Sequence, residues 1–450
     1  MKELNAYKEA MKQLPEEIRE AEVNADKQDI LSVQMCDGKI TSLSLSDQTT
    51  LFVRVTGNST GFVSTENLEE DAGEVMSAAL ENSRYLKAGK TEKLHTLNTL
   101  TNNLEEEEKS HTELDRVKAT LFTVTNKLKN WSPGLTAVTV SAEERIHTAG
   151  VVNSNGCDQT FSRITTELSI SAYEKGDEQT FFQLESASES AFERIDTELL
   201  YKKLELWKAN KVPDTECLAG SFRAVLDGSV LANMFVTAWK LFSGQSYIAN
   251  STIYSNKLGN RIASDIVTIM DIPVMENCGY EYPFDCEGSE GIETVLVNKG
   301  ILTGLLHNIE TADVLGVKST GNAGRTPSLV KGTDITITPK NFCLRPGEKS
   351  LEELLQELGD GLYIYQSYDV YHSINIGSGD YTIPCNAILI KDGKRVGKAD
   401  GMTMNGNMSD FFQSIRSVGK ELSYIPLDLH KAYMAAAPSV LVDAVTVSGS

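Results

Sequence analysis

The chain has 450 residues, more than one hydrophobic core usually organises, so two or three domains are expected. Hydrophobic residues make up 40% and charged residues 23%, the composition of an ordinary globular protein. The formal net charge of -21 argues against nucleic-acid binding, because affinity for phosphate comes from clustered Lys and Arg. We therefore expect no nucleic-acid partner.

The sequence carries no sign of a membrane segment or a secretory leader. Residues 1–23 are polar and amphipathic without an apolar core, and no stretch approaches the about 18 apolar residues of a membrane helix. Seven cysteines are scattered along the chain, an odd number that favours reduced thiols over a disulfide framework. We expect a cytoplasmic protein.

Residues 1–100 are predicted to form an α+β subdomain. Its first helix is expected over Glu3–Glu20, and Thr65 is expected to cap a second helix carrying Leu68, Ala72, Val75 and Ala79. Three short alternating runs between these helices predict antiparallel strands, at Ile30–Met35, Ile40–Leu45 and Leu51–Val55.

Residues 101–213 are predicted to form a central subdomain of one helix and long antiparallel strands. Apolar residues recur at three- and four-residue steps over Leu114–Trp131, which predicts a helix with one core face. Alternating side chains over 135–188 predict strands, with tight hairpins at Asn155-Gly156 and near Gly176-Asp177. A polar helix over 190–208 leads to a boundary at Val212-Pro213-Asp214.

Residues 214–450 are predicted to form a β-rich domain around one central helix. Short β runs turn at Lys299-Gly300 and Asp392-Gly393, whereas Val230–Phe242 lacks a polar face and should be a buried helix. Leu351–Leu358 should be a second helix, with a capping box formed by Ser350 and Glu353 and with Gly359 as its C-terminal stop. The predicted fold class is α+β, with an N-terminal α/β region of antiparallel sheets and this C-terminal domain.

No metal or nucleophile motif stands out from the residue pattern. The six histidines are far apart, so no two share a helix face at the spacing that a zinc-binding helix requires. The run Asp285–Glu290 lacks the regular oxygen ligands of a calcium loop, which favours a turn. The polar run Ser319–Arg325 could contact an anion, but a surface turn is the favoured interpretation.

Several sequence blocks, taken in order, resemble the TldD/PmbA family over essentially the whole chain. Each block alone is unspecific, and their order carries the resemblance. The blocks are Leu51–Leu68, Ser243-Gly244, Lys257–Pro273, Asp285–Gly288, Ser319–Asn322, Ser378–Tyr381, Ile388–Lys394, the stretch 402–422, Pro438–Leu441 and Val445–Gly449.

This resemblance implies a dimer enclosing a cavity in which extended, unfolded peptides are cut. In the catalytic TldD branch, zinc is held by two histidines of a His-Glu-x-x-x-His helix and by a cysteine near the C-terminus. Alignment on Gly244 places Phe235 and Lys240 at the two histidine positions and Val236 at the glutamate position. Tyr433–Pro438 replaces the cysteine segment. No catalytic residue and no metal ligand is therefore assigned to this chain.

That pattern resembles the PmbA, or TldE, branch, which implies a non-catalytic subunit whose TldD-like partner carries the zinc. Older names of this family call its members modulators of DNA gyrase. The alternatives are a homodimeric peptide-binding or regulatory protein and a metallopeptidase with atypical ligands such as His307, His372 or Cys385. Candidate cavity or groove residues are Trp239, Lys240, Asp380 and Asn405.

Overall fold

The computed structural model describes most of the chain, in two compact units. The described residues are 1–85, 94, 109–174, 177–188, 197–216, 218–275, 282–325, 335–426 and 434–449. The first unit comprises Met1–Lys203, Met275–Gly291 and Asn308–Thr336; the second comprises Leu204–Val274, Ile292–His307 and Ile337–Ser450. The predicted turn at Gly176 and the predicted helix start at Ser190 lie outside the described residues.

A six-stranded antiparallel sheet forms the centre of the first unit, in the order β3-β2-β1-β4-β5-β6. Its strands are β1 (Glu20–Cys36), β2 (Lys39–Thr56), β3 (Thr60–Thr65), β4 (Leu135–Asn153), β5 (Asp158–Glu174) and β6 (Asp177–Ser188). Pairing of β1 with β4 brings strands from 1–100 and from 101–213 into one sheet.

Helices cover one face of this sheet. They are α1 (Asn5–Ala10), α2 (Ala72–Ser83) and α3 (Leu114–Trp131), and the unit also contains α7 (Ile309–Leu315). Ala21, Val23 and Ala25 of β1 pack in one buried cluster with α1 and α2. The predicted bounds of α3 and the Asn155-Gly156 turn are confirmed.

Three local predictions for the first unit are wrong at their boundaries. The N-terminal helical segment ends at Gln13 with Leu14 extended, because the residue before Pro15 is disfavoured in a helix. Ile40–Leu45 and Leu51–Val55 belong to the single strand β2, because pairing with β1 continues through the polar residues between them. The cap of α2 is Asp71, whose carboxylate accepts from Gly73 N and Glu74 N, whereas Thr65 ends β3.

The second unit contains a ten-stranded mixed sheet around a buried helix. Pairings of β7, β14, β15, β16 and β18 close into a ring of five strands. The strands are β7 (Gly220–Leu226), β8 (Ile269–Ile272), β9 (Thr294–Asn298), β10 (Ile301–Leu302), β13 (Asn341–Leu344), β14 (Gly361–Ser367), β15 (Asp380–Lys391), β16 (Lys394–Asn407), β17 (Ile415–Pro426) and β18 (Met434–Gly449). A separate two-stranded sheet pairs β11 (Ala323–Arg325) of the first unit with β12 (Ile335–Ile337), which begins in that unit.

Among the described residues, the second unit contains the α-helices α5 (Gly228–Ala238), α6 (Gly244–Ile248), α8 (Leu351–Leu358) and α9 (Met408–Ser414), and the unit boundary at Lys203/Leu204 falls within α4 (Thr197–Ala209). Helix α5 packs against β14, β17 and β18 and is buried on all sides, which confirms the expected central helix. The capping box of Ser350 and Glu353 and the stop at Gly359 are also confirmed. The α+β fold class is therefore confirmed.

Candidate functional site

Helix α5 begins at a carboxylate that accepts hydrogen bonds from two different elements. Asp227 Oδ1 accepts from Ser229 N at 2.9 Å, and Asp227 Oδ2 accepts from the Tyr363 hydroxyl at 2.7 Å. Burial and the neighbouring Asp227 carboxylate raise the pKa of Tyr363, so this hydroxyl keeps its proton. The contact ties the start of α5 to β14.

Phe235 and Val236 of α5 belong to the hydrophobic core of the second unit. The Phe235 ring is fully buried and meets Phe342 edge-on, with the ring centroids 5.0 Å apart. Val236 is buried as well. Beyond α5, a 3-10 helix carries the half-buried Trp239 and the exposed Lys240, whose Nζ lies 5.9 Å from the Trp239 ring centroid.

These side chains do not fit a zinc ion. Zinc requires lone pairs from imidazole, thiolate or carboxylate, whereas Phe and Val are hydrocarbons and an ammonium group such as that of Lys240 is only a donor. Buried Met434–Ala437 occupies the described part of the implied cysteine segment. Across the part of the chain that the structure describes, no cluster of three His, Cys, Asp or Glu side chains could hold a metal ion.

The glycine that follows this helix is required by close packing. A Cβ atom on Gly244 would lie 2.6 Å from His307 Nδ1 and 2.8 Å from the Leu306 carbonyl oxygen. His307 is buried, and burial lowers its pKa to about 4, so the ring is neutral at physiological pH.

The residues suggested as atypical ligands have unlike surroundings. His307 is buried beside Gly244, whereas His372 is exposed with its Nδ1 atom 3.7 Å from Asp369. Burial raises the pKa of Cys385 in β15 to about 11, which disfavours the thiolate that a metal needs.

Asp380 and Asn405 lie on the β15–β16 hairpin, whereas Trp239 and Lys240 follow α5. Asp380 Oδ1 accepts from Asn407 Nδ2 at 3.0 Å, and this bond lowers the pKa of the exposed carboxyl. Half-buried Asn405 donates to Thr403 O and to Ser448 Oγ, each at 3.3 Å. Whether these four residues line a groove stays a prediction.

A second polar cluster, missed by sequence reasoning, lies within the first unit. Arg54 Nη2 of β2 lies 2.9 Å from Glu22 Oε1 of β1, and Arg54 Nη1 lies 3.7 Å from Glu287 Oε1. All three side chains are almost fully buried. Burial raises the pKa of Glu287 to about 8, although the Arg54 guanidinium acts in the opposite direction. We call Glu22, Arg54, Asp285, Glu287 and Arg325 the buried ion cluster.

The loop that bears Glu287 is shaped by Asp285, which confirms the predicted turn. Asp285 Oδ1 accepts from Glu287 N and Ser289 N, both at 2.9 Å, and Oδ2 accepts from Ala323 N at 2.9 Å. The predicted surface turn at Arg325 is wrong. Its side chain is buried, with Nη2 3.6 Å from Glu22 Oε1 and its guanidinium carbon 5.5 Å from the centroid of the Phe52 ring.

The sheet face that carries this cluster remains polar along β1 and β4. His147 Nε2 lies 2.8 Å from Asp26 Oδ2, and Arg145 Nη1 donates to Gln28 Oε1 at 2.6 Å. Burial raises the pKa of Asp26, but the charge and hydrogen bond of His147 outweigh that effect and lower it. The sequence signal that could have revealed the buried ion cluster was a charged residue inside an apolar run, such as Arg54 in Leu51–Thr56.

The C-terminal half of the chain matches a known domain. Residues 219–449 match the model of the PmbA/TldA metallopeptidase C-terminal domain, which is half of the chain. The chain belongs to the PmbA/TldD family. The expected family membership is thereby confirmed.

Relatives in this family are about a quarter identical to the chain over the segments that align. A metalloprotease of Methanothermobacter thermautotrophicus is 27% identical over 64% of this chain and 63% of its own length. The metalloprotease PmbA of Escherichia coli O157:H7 is 27% identical over 40% of this chain and 37% of its own. The chain thus spans less than two thirds of these relatives.

Solved structures of PmbA/TldD-type proteins share the whole fold. TldE from Thermococcus kodakarensis superposes with a TM-score of 0.82 at 18% identity, over 99% of this chain and 100% of that one. A proposed modulator of a DNA gyrase from Thermotoga maritima superposes with a TM-score of 0.77 at 21% identity, over 95% of this chain and 96% of that one. At these identities the likeness concerns the fold. None of the described helices combines the length and the apolar composition that a membrane crossing requires.

Proposed function

We propose that this chain is a non-catalytic, PmbA/TldE-like subunit of a zinc peptidase complex that cleaves unfolded peptides. The observation that carries the proposal is the chemistry of α5 and of the 3-10 helix after it. The buried Phe235 and Val236 and the exposed Lys240 occupy the positions that the family resemblance assigns to the zinc ligands and the base. The Phe235 ring packs edge-on against Phe342, so it stabilises the core, and it has no lone pair with which to bind a metal.

In this proposal the catalytic zinc and its general base belong to a TldD-like partner. The present chain contributes cavity wall, dimer surface and a place for extended peptide, without a cofactor of its own. Trp239, Lys240, Asp380 and Asn405 are the candidate contacts with peptide. Nucleic acid and membrane are not partners, and the complex works in the cytoplasm.

Metal analysis of the purified chain and of the complex tests this assignment. We expect less than about 0.1 zinc per chain in the isolated protein and no peptide cleavage. Co-purification from the native cell should recover a partner with a His-Glu-x-x-x-His helix, and that complex should hold zinc and cleave unfolded peptide. Stoichiometric zinc with partner-free cleavage would reject the proposal.

Lys240 gives a sharper test of the peptide groove. If Lys240 contacts peptide, Lys240→Ala should raise the KM of the assembled complex several-fold while its zinc content stays unchanged. Lys257→Ala is the matched control, because Lys257 is also an exposed lysine of the same unit. Equal kinetics for the two variants would remove Lys240 from the groove.

A homodimeric peptide-binding or regulatory protein is the second candidate. Among the described residues, no strand pairs with the outer side of Lys39–Thr50 in β2. This open strand edge favours the second candidate. Under this candidate the same co-purification would recover only the chain itself, without zinc.

A further inference from the structure

A histidine lies between two carboxylates on the six-stranded sheet. His111 Nδ1 is 3.1 Å from Glu144 Oε1 of β4, and His111 Nε2 is 3.0 Å from Asp29 Oδ1 of β1. The side chains of His111 and Glu144 are 16% and 2% exposed. Both nitrogens of one ring therefore face oxygen acceptors, and these acceptors belong to two different strands.

Strand register places the two carboxylates on the face that the helices cover. Glu144 is opposite Leu31 in the pairing of β1 with β4, and Leu31 is two residues after Asp29. Alternate residues of a strand share a face, so Asp29 and Glu144 lie on one side of the sheet. Ala25 lies on that side as well and packs in the cluster with α1 and α2.

The residue after the histidine is bound to the same carboxylate. Thr112 N donates to Glu144 Oε1 at 2.7 Å, and Thr112 Oγ1 donates to Glu144 Oε2 at 2.8 Å. Helix α3 begins two residues later, at Leu114. We call His111, Thr112, Asp29 and Glu144 the histidine clasp, because they join the start of α3 to β1 and β4.

Both ring contacts can be hydrogen bonds only if the ring carries two protons. An ionised carboxylate only accepts, and a neutral imidazole has one N–H and one lone pair. A neutral His111 would therefore direct a lone pair at an oxygen of Asp29 or of Glu144, which is repulsive. A doubly protonated ring donates to both, and each bond is strengthened because donor and acceptor are both charged.

Among the described residues, only Asp29 and Glu144 lie within hydrogen-bond distance of the His111 ring. Asp47 of β2 is directly opposite Asp29 in the strand register. The other charged residues on the elements next to the clasp are Lys27 of β1, Lys109 and Glu113 of the segment before α3, and Asp115, Arg116 and Lys118 of its first turns. Solvent screens charges that are not in contact, so the two carboxylates dominate the response of the clasp.

We propose that the histidine clasp is a pH-sensitive switch, which holds the start of α3 on the sheet while His111 is doubly protonated and releases it when the ring loses a proton. Histidine is the side chain that ordinarily changes charge between about pH 5 and 8. Glu144 Oε1 accepts from both the ring and the Thr112 amide, so loss of the ring contact also loosens the backbone.

The opening is local. Val117, Leu121 and Leu128 keep the rest of α3 buried against the sheet, so only the segment 109–113 is released. The switch does not depend on the proposed role in a zinc peptidase complex.

Hydrogen exchange of the segment 109–113 tests the switch. Protection factors, in which the chemical exchange rate is divided out, are compared by mass spectrometry at about pH 5.5 and about pH 8. We expect the natural chain to lose about tenfold in protection at the higher pH, as for the loss of one charge-assisted hydrogen bond.

His147→Gln is the matched control. The His147 side chain is also 16% exposed, and its Nε2 atom lies 2.8 Å from Asp26 Oδ2. His147 is opposite Gln28, so it lies on the other face of the same pair of strands. This variant should lose as much protection of 109–113 at the higher pH as the natural chain does.

Two variants of the clasp separate protonation from a purely structural contact. His111→Gln cannot gain a charge, so its protection should be low at both pH values. Asp29→Asn supplies an amide that can donate to Nε2 of a neutral ring, while Nδ1 donates to Glu144. Protection in Asp29→Asn should therefore stay high at both pH values, whereas a purely structural role of the Asp29 carboxylate would make it low at both.

Equal protection of the natural chain at the two pH values would overturn the proposal. A loss at the higher pH that persists in Asp29→Asn would overturn it as well. Circular dichroism shows whether each variant is folded, and if His111→Gln is not, Asp29→Asn decides alone because it keeps the ring. Zinc content and recovery of a partner report on the proposed function, and neither enters this test.

Discussion

Arg54 and Glu22 form an ion pair inside the first unit, with Arg54 Nη2 2.9 Å from Glu22 Oε1 and exposed fractions of 1% and 0%. The pair joins neighbouring strands, since Glu22 and Arg54 are direct partners in the register of β1 and β2. Glu287 and Arg325 extend the contact to a distant loop and to β11 of the same unit. Desolvated charges of this kind are costly to leave alone.

Removing Arg54 should therefore destabilise the protein strongly. We expect Arg54→Ala to lower the free energy of unfolding by about 3–5 kcal/mol, because the buried Glu22 then loses the closer of its two counter-charges and keeps Arg325 Nη2 at 3.6 Å. Urea unfolding followed by circular dichroism measures the loss. Lys12→Ala breaks the exposed pair with Glu9 and should cost only about 0–1 kcal/mol. Equal losses for the two variants would contradict a special role for burial.

Glu287 should make stability depend on pH in a defined direction. Its pKa is raised in the folded protein to about 8 from an ordinary value of 4.5, so folding favours the protonated carboxyl. As the pH rises, the unfolded chain loses this proton at a lower pH than the folded protein does. The stabilisation is therefore fully present below pH 4.5 and is lost as the pH rises to about 8.

The variant Glu287→Gln isolates this contribution. It keeps an oxygen that can accept from Ile309 N, as Glu287 Oε2 does at 2.9 Å, but it cannot ionise. Melting temperatures between pH 4.5 and 8 should fall less for Glu287→Gln than for the natural chain. The exposed Glu421→Gln is the control and should follow the natural chain. Parallel curves for all three proteins would exclude Glu287 as the source.

Asp227 should contribute more to the stability of the protein than a helix cap alone does. Asp227→Ala removes the N-cap of α5, at about 0.5–2 kcal/mol, and leaves the buried Tyr363 hydroxyl without this acceptor, at about 1–3 kcal/mol more. Asp71→Ala removes only a cap, at the exposed start of α2. Thermal unfolding should show a larger loss of stability for Asp227→Ala than for Asp71→Ala. Tyr363→Phe should recover part of the difference in a double-mutant cycle, and its failure to do so would refute this account.

Gly244 should not tolerate even a methyl group. Gly244→Ala places a Cβ within 2.6 Å of His307 and 2.8 Å of backbone oxygen, and we expect a loss of about 1–3 kcal/mol in unfolding free energy. Gly377→Ala, whose Cβ would meet no atom closer than 3.4 Å, should stay within about 0.5 kcal/mol of the natural chain. Similar stabilities for both variants would show that the segment relaxes around the methyl group.

The sequence by itself determined the features that depend on neighbouring residues. Helix α3 follows from the spacing of its apolar residues, and α8 follows from its capping box and Gly359. Positive backbone angles at Lys299-Gly300 and Asp392-Gly393 agree with the hairpins predicted there. The lack of zinc ligands at Phe235, Val236 and Lys240 is likewise a property of residue type. All of these are local effects, and a single chain displays them directly.

Only the tertiary structure decided which distant groups meet. Arg325 resembled a surface residue because its neighbours are polar, yet it is buried close to Glu22, roughly three hundred positions earlier in the chain. β2 continues through its polar middle because strand pairing with β1 satisfies its backbone whatever the side chains are. The pairing of β2 with β3 starts only at Leu51, because β3 ends at Thr65, which is opposite Leu51. Burial and pairing depend on the packing of the entire sheet, so no local pattern could reveal them.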